Sequence, residues 1–208
     1  MVWAVVKGGP VMIAIILASM LGLAIIIYKV WQLWAGRIDA AAFTDEVVER
    51  VGAGDMREAI ALCDGRIRYP IARTLKAGLL KRGLPPHEIE KAMERAGNNE
   101  VKALEKYIGG LISIVGIEPL LGFLGTITGL IRAFMAWEKA GAGVTVSALA
   151  SGIYEAMITT AAGLTVAVPY YLICNFIISR VKYISFELGD CSMRLAEALV
   201  EERSGAKV

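Results

Sequence analysis

Residues 144–178 read VTVSALASGIYEAMITTAAGLTVAVPYYLICNFII, and this stretch decides the fold. In the wider run from Ala140 to Ser179 only Glu155 is charged. About 20 apolar residues suffice to cross a bilayer as a helix. The wider run would reach about 60 Å at about 1.5 Å per residue, against a hydrocarbon core of about 30 Å. The expectation is a transmembrane helix that projects beyond the membrane at one end. A carboxylate at the centre of such a helix costs about 2.5–3.5 kcal/mol on insertion scales. Residues tolerated there usually face a bundle interior or a water-filled path, so Glu155 is the first candidate for function.

Two other segments can span. Val11 to Tyr28 is uncharged and followed by Lys29, Trp31 and Trp34, which read as interfacial anchors. Its apolar run is longer than a signal-peptide core and no A-x-A site follows, so it is expected to be a retained anchor. Ile108 to Trp137 carries only Glu118 and Arg132 as charges. The composition agrees: 56% of the 208 residues are hydrophobic, and the mean hydropathy is +0.58, above that of ordinary soluble domains. A net charge of +2 argues against nucleic acid as a partner. Cys63, Cys174 and Cys191 lie far apart and the single His87 has no Cys or His nearby, so neither a metal centre nor a cofactor is expected.

Fourteen of the 22 Lys and Arg residues fall between Lys29 and Lys106. Near the span ends, Lys29, Arg37, Lys102, Lys106, Arg180 and Lys182 lie on one side, with Lys7 and Lys139 on the other. The positive-inside rule puts the richer side in the cytoplasm. The expected order is an outer N-terminal segment (1–10), span one (11–28), a cytoplasmic helical region (29–106), span two (108–137), an outer loop (138–146), span three (147–178) and a cytoplasmic C-terminal helix (179–208). Gly52-Ala53-Gly54-Asp55, Tyr69-Pro70 and Gly83-Leu84-Pro85-Pro86 break the polar region into helices, with Asp55 placed as a helix cap. No breaker separates Asn99 from Gly109, so that helix is expected to run into span two. The fold class is an all-α membrane protein with three transmembrane helices, of which two and three extend into a cytoplasmic helical bundle.

In span two, Glu118, Gly122, Thr126, Gly129 and Ala133 form one stripe of small and polar residues, and Gly125 and Gly129 make a G-x-x-x-G. Close helix packing accounts for the glycines; Thr126 could equally line a polar path. Glu118 precedes Pro119 and could sit at the cytoplasmic interface. In span three, Thr159 is one turn from Glu155, while Thr160 lies about 140° around the helix. Ala161, Ala162 and Gly163 keep that helix thin, and Pro169 should bend it and free a carbonyl. Glu155 has a second reading as an interhelical hydrogen-bond partner or a salt bridge to Arg132.

The runs Glu94-Arg95-Ala96, Glu100 to Glu105 and PLLGFLGTITGLIRAF (Pro119 to Phe134) resemble the second-helix signature of the ExbB/TolQ/MotA proton-channel family, and EAMITTAAGLTVAVP (Glu155 to Pro169) is similar to its third-helix signature. GDMREAIALCDGRIRYPIARTLKAGL (Gly54 to Leu79) resembles the cytoplasmic region of ExbB and TolQ, and three spans match these rather than the four-span MotA. The resemblance covers about residues 45 to 180. It implies a multi-pass protein of the bacterial inner membrane with a periplasmic N-terminus and a cytoplasmic C-terminus. It also implies a homopentameric ring around single-span partners of the ExbD/TolR type, each supplying a transmembrane aspartate, with a TonB/TolA-like periplasm-spanning protein as a further partner. Thr126, Glu155 and Thr160 match the family's proton-path positions; the choice of Thr160 over Thr159 rests on the resemblance alone. Glu118, where the family usually has a small residue, and Arg132 depart from the pattern. The expected function is a proton-channel subunit of a motor driven by proton motive force. The alternative is a structural scaffold that anchors a partner without passing ions. No Walker loop or nucleophile–base constellation points to an enzyme, and three spans show no inverted repeat of a solute transporter.

Overall fold

The computed structural model describes residues 8–140 and 146–205, so the expected loop at 138–146 and the first residues of the N-terminal segment lie largely outside it. Among the described residues the chain forms helices and no strand. These are α1 (Gly9–Ala35), α2 (Ala40–Gly52), α3 (Met56–Gly65), α4 (Pro70–Leu79), α5 (Pro86–Glu105), α6 (Ile108–Ala140) and α7 (Val146–Gly205). Three helical segments are long and apolar enough to cross a membrane. The chain divides into two compact units, Met1–Lys29 with Tyr107–Phe176, and Val30–Lys106 with Ile177–Val208.

The second unit is a helical bundle built by its breakers. Asp39 caps α2, its carboxylate accepting from the Ala42 N–H at 3.0 Å. Asp55 stands at the cap position of α3 but makes no side-chain cap bond, so that helix starts without the bond the sequence pointed to. Pro70 and Pro86 open α4 and α5, where a missing N–H costs nothing. The apolar faces of α2 to α5 and of α7 meet in one core: Phe43, Val47, Val51, Ala59, Cys63, Leu75, Leu79, Met93, Cys191, Leu195 and Leu199. Outside it, Arg66–Glu46 and Arg73–Glu100 pairs at 3.0 and 2.5 Å lie at partly exposed positions, where each contributes about 0–1 kcal/mol.

Cys63 has no accessible surface. Burial, with Asp64 adding to it and Lys76 opposing, pushes its thiol from 9.0 up to about 12. The reactive thiolate is therefore absent at neutral pH, and a maleimide should leave Cys63 unlabelled in the folded protein and modify it once the bundle is unfolded. The folded state holds this proton more tightly than the unfolded chain, so its contribution to stability is full below the ordinary thiol value and is lost as pH rises towards about 12.

The junction between α5 and α6 differs from the uninterrupted helix expected. Lys106 adopts ψ 133° and Tyr107 the left-handed region, φ 71°. A bulky residue there costs about 1–3 kcal/mol and must be held by its surroundings. The Tyr107 ring meets Tyr28 edge-on, with centroids 5.9 Å apart. By contrast α7 runs unbroken for 60 residues with Pro169 inside it, leaving the Thr165 carbonyl without its helical N–H.

Candidate functional site

The first unit is organised by a seam between α6 and α7. Along it the buried positions include Glu118, Gly122, Gly125, Gly129 and Ala133 on α6 and Gly152, Ala156, Thr159 and Gly163 on α7. Both sets repeat at three and four residues, so each forms one narrow face of small side chains. The backbones approach closely: a Cβ on Gly163 would stand 2.6 Å from the Glu118 carbonyl, and one on Gly129 2.9 Å from the Ala156 nitrogen. Packing of this kind holds membrane helices together where lipid offers no hydrophobic drive. The α6 stripe is legible in the sequence; Gly152 and Ala156 complete it from the other side, and their small size at helical spacing was the signal available.

Thr126 and Thr160 come together in this seam. Their hydroxyls pair with each other, and either can donate. Thr160 can also donate to the Gly122 carbonyl at 3.0 Å, and Thr126 to the Ala156 carbonyl at 3.4 Å. Thr159, the neighbour that helix geometry favoured for Glu155, does something else. It has no accessible surface, packs on Gly125 and donates to the Ala156 carbonyl at 2.9 Å, so its hydroxyl is consumed by its own helix.

The Glu155 carboxylate forms an ion pair with Arg132 across the seam. Of the contacts the sequence leaves open to Glu155, the salt bridge is the one this chain makes. The side chain of Arg132 stays 48% exposed and that of Glu155 19%, so the guanidinium is the accessible member. Glu155 also packs on Gly9, the first residue of α1, whose φ of 64° and lack of Cβ admit the carboxylate. A helix N-terminus carries partial positive charge and favours an anion beside it. Nothing in the sequence pointed to Gly9.

Glu118 is fully buried within the protein, and neither oxygen has a hydrogen-bond partner among the described residues. Pro119 stands inside α6. Gly163 permits the burial, since its bare Cα lets α7 close onto the Glu118 backbone. No group of three or more His, Cys, Asp or Glu able to hold a metal occurs among the described residues.

Long apolar helices, a tight small-residue seam and ionisable side chains within it define an α-helical multi-pass membrane protein with a polar intramembrane site. Residues 66–188 match the family model described as the MotA/TolQ/ExbB proton channel family. The chain belongs to that family. It is 35% identical over 178 residues to ExbB-like 1, a biopolymer transport protein of Synechocystis sp., covering 83% of this chain and 68% of that one. It is 36% identical over 100 residues to the Tol-Pal system protein TolQ of Haemophilus influenzae, covering 48% and 43%. To the biopolymer transport protein ExbB of Neisseria meningitidis serogroup A it is 24% identical over 213 residues, covering 95% and 96%.

Proposed function

We propose that this chain is the channel-forming subunit of an inner-membrane motor that draws on proton motive force to drive transport or envelope work. The observation that carries this reading is the hydroxyl pair of Thr126 and Thr160, set in the seam between an intramembrane ion pair and a buried carboxyl. Hydroxyls that can donate in either direction are suited to passing protons along a chain of water; they offer little to a bare metal cation, which needs several oxygens at once.

In this reading several copies, five by analogy with the family, enclose the single transmembrane helices of an ExbD/TolR-like partner, and a TonB/TolA-like protein carries the work outwards. The N-terminus is periplasmic and the helical bundle of α2 to α5 lies in the cytoplasm, a topology favoured by the bases near the span ends. A proton entering from outside neutralises the partner's aspartate and frees that helix to move. A membrane potential supplies about 2.3 kcal/mol per charge per 100 mV, enough to bias such a switch. The exposed guanidinium of Arg132 offers the aspartate a counter-charge, and Glu155 sets how strongly that charge is felt by holding Arg132 on its other side. The chain performs no covalent chemistry of its own.

The test is reconstitution of the chain with a single-span partner of the ExbD/TolR type, in vesicles bearing a proton gradient. Uptake of protons that requires both proteins and the partner's aspartate is expected. An assembled complex that passes no protons under any gradient would overturn the reading and leave the anchoring scaffold, for which the glycine seam alone would suffice.

A further inference from the structure

Glu118 takes no part in the pathway just described, yet its surroundings are unusual for a carboxylate. Its side chain has no accessible surface, and neither carboxylate oxygen is hydrogen-bonded among the described residues. An ionised carboxylate in that state forfeits its hydration and receives nothing in exchange, a cost that proteins avoid by neutralising the group. Among the described residues its neighbours offer no counter-charge. From α7 the facing titratable group is Tyr170, whose phenolic O–H is already committed to the Ser19 carbonyl of α1 at 2.8 Å. On its own helix Glu118 is followed by Pro119, which has no N–H to give, so the Val115 carbonyl one turn back lacks its helical donor. A carboxylate can only accept; a protonated carboxyl can donate. The residue pair Glu118-Pro119 therefore places a group able to hold a proton within one turn of a carbonyl in need of one.

Its position along the seam gives this a use. Arg132 with Glu155, then Thr126 with Thr160, then Glu118 follow one another down α6, with axial steps of about 9 and about 12 Å at about 1.5 Å per residue. We propose that Glu118 is a proton-binding site inside the subunit: it holds a proton in the closed seam shown here and is the inner station of the relay. A proton arriving through water from the threonine pair forms the carboxyl O–H bond; when the seam opens on the inner side that bond breaks, the proton leaves to water, and the carboxylate is hydrated until the next arrives. This rests on the proton-channel reading above.

The experiment is infrared spectroscopy of the full-length chain in lipid nanodiscs at neutral pH, in light and heavy water. A carbonyl band of a protonated carboxyl, shifting on deuteration, should be present in the wild type, persist in Glu155→Gln and vanish in Glu118→Gln. Should Glu118→Gln fail to assemble, Glu118→Asp must move the band. A wild type without such a band, or one whose band ignores both Glu118 substitutions, overturns the proposal. Failure here is distinct from failure of the channel reading, because vesicles that take up protons normally while the band is missing would remove Glu118 alone from the path.

Discussion

Thr160→Val is expected to reduce proton-coupled work by about a hundredfold or more, the scale on which a positioned proton-transfer group acts, while the protein still folds and assembles. Valine keeps the branched shape but removes the hydroxyl that pairs with Thr126 and reaches the Gly122 carbonyl. Thr126 would still satisfy itself on the Ala156 carbonyl, so the loss falls on the relay rather than on the packing. Thr160→Ser, which restores an O–H at the same position, should recover most of the output. Glu155→Ala should be as damaging by a different route. It releases Arg132 from its partner, and an unbalanced guanidinium then holds the partner's aspartate in its charged form. The measurement is proton uptake by the reconstituted complex, with co-purification of the partner as the assembly control. Wild-type uptake in both Thr160→Val and Glu155→Ala would contradict the assignment.

Gly163→Val is expected to prevent the first unit from forming. The obstruction is backbone: a Cβ at 163 would meet the Glu118 carbonyl at 2.6 Å and the Gly122 Cα and nitrogen at 3.2 and 3.3 Å. No rotamer change relieves a clash with main chain, so α6 and α7 must separate and every contact of the seam loosens with them. Overpacking by a few atoms costs about 1–3 kcal/mol, and a whole stability of about 5–15 kcal/mol is typical. Gly163→Ala carries the same Cβ and should already lower the thermal midpoint sharply, and the two further methyls of valine should leave only aggregate or degraded chain. Gly189 lies in the same helix with nothing within 4 Å of its would-be Cβ; Gly189→Ala should be neutral or slightly stabilising, since glycine is the poorer helix former. Thermal unfolding in detergent, followed by circular dichroism, separates the three.

How far the sequence could be read depended on whether the signal was local. Apolar runs announced the long helices, and the glycine and proline clusters at 52–54, 69–70 and 83–86 announced where the second unit turns, because each acts on its own few residues. The small-residue stripe of α6 was visible for the same reason. What it packed against was not: pairing Gly129 with Ala156, or Thr126 with Thr160, needs the register between two helices, which no local pattern encodes. The Arg132–Glu155 contact could be raised as one of two readings but not chosen, since the partners lie 23 residues apart on different helices. The break at Tyr107 was hidden altogether. Tyrosine carries no preference for φ of 71°, and the ring contact with Tyr28 that helps hold it there joins two different helices. The burial of Glu118 was missed because it depends on a glycine 45 positions later.

The pairing of two threonines also has a thermodynamic meaning. Each hydroxyl can stand as donor to the other, so the contact between them has no built-in direction. On the proposed reading it passes protons either way and does not rectify. Whatever makes the motor run one way must be imposed from elsewhere, by the gradient and by the order in which the partner's helix meets each subunit. A gradient of reversed sign should then drive protons back through the same hydroxyls, and the machine with them.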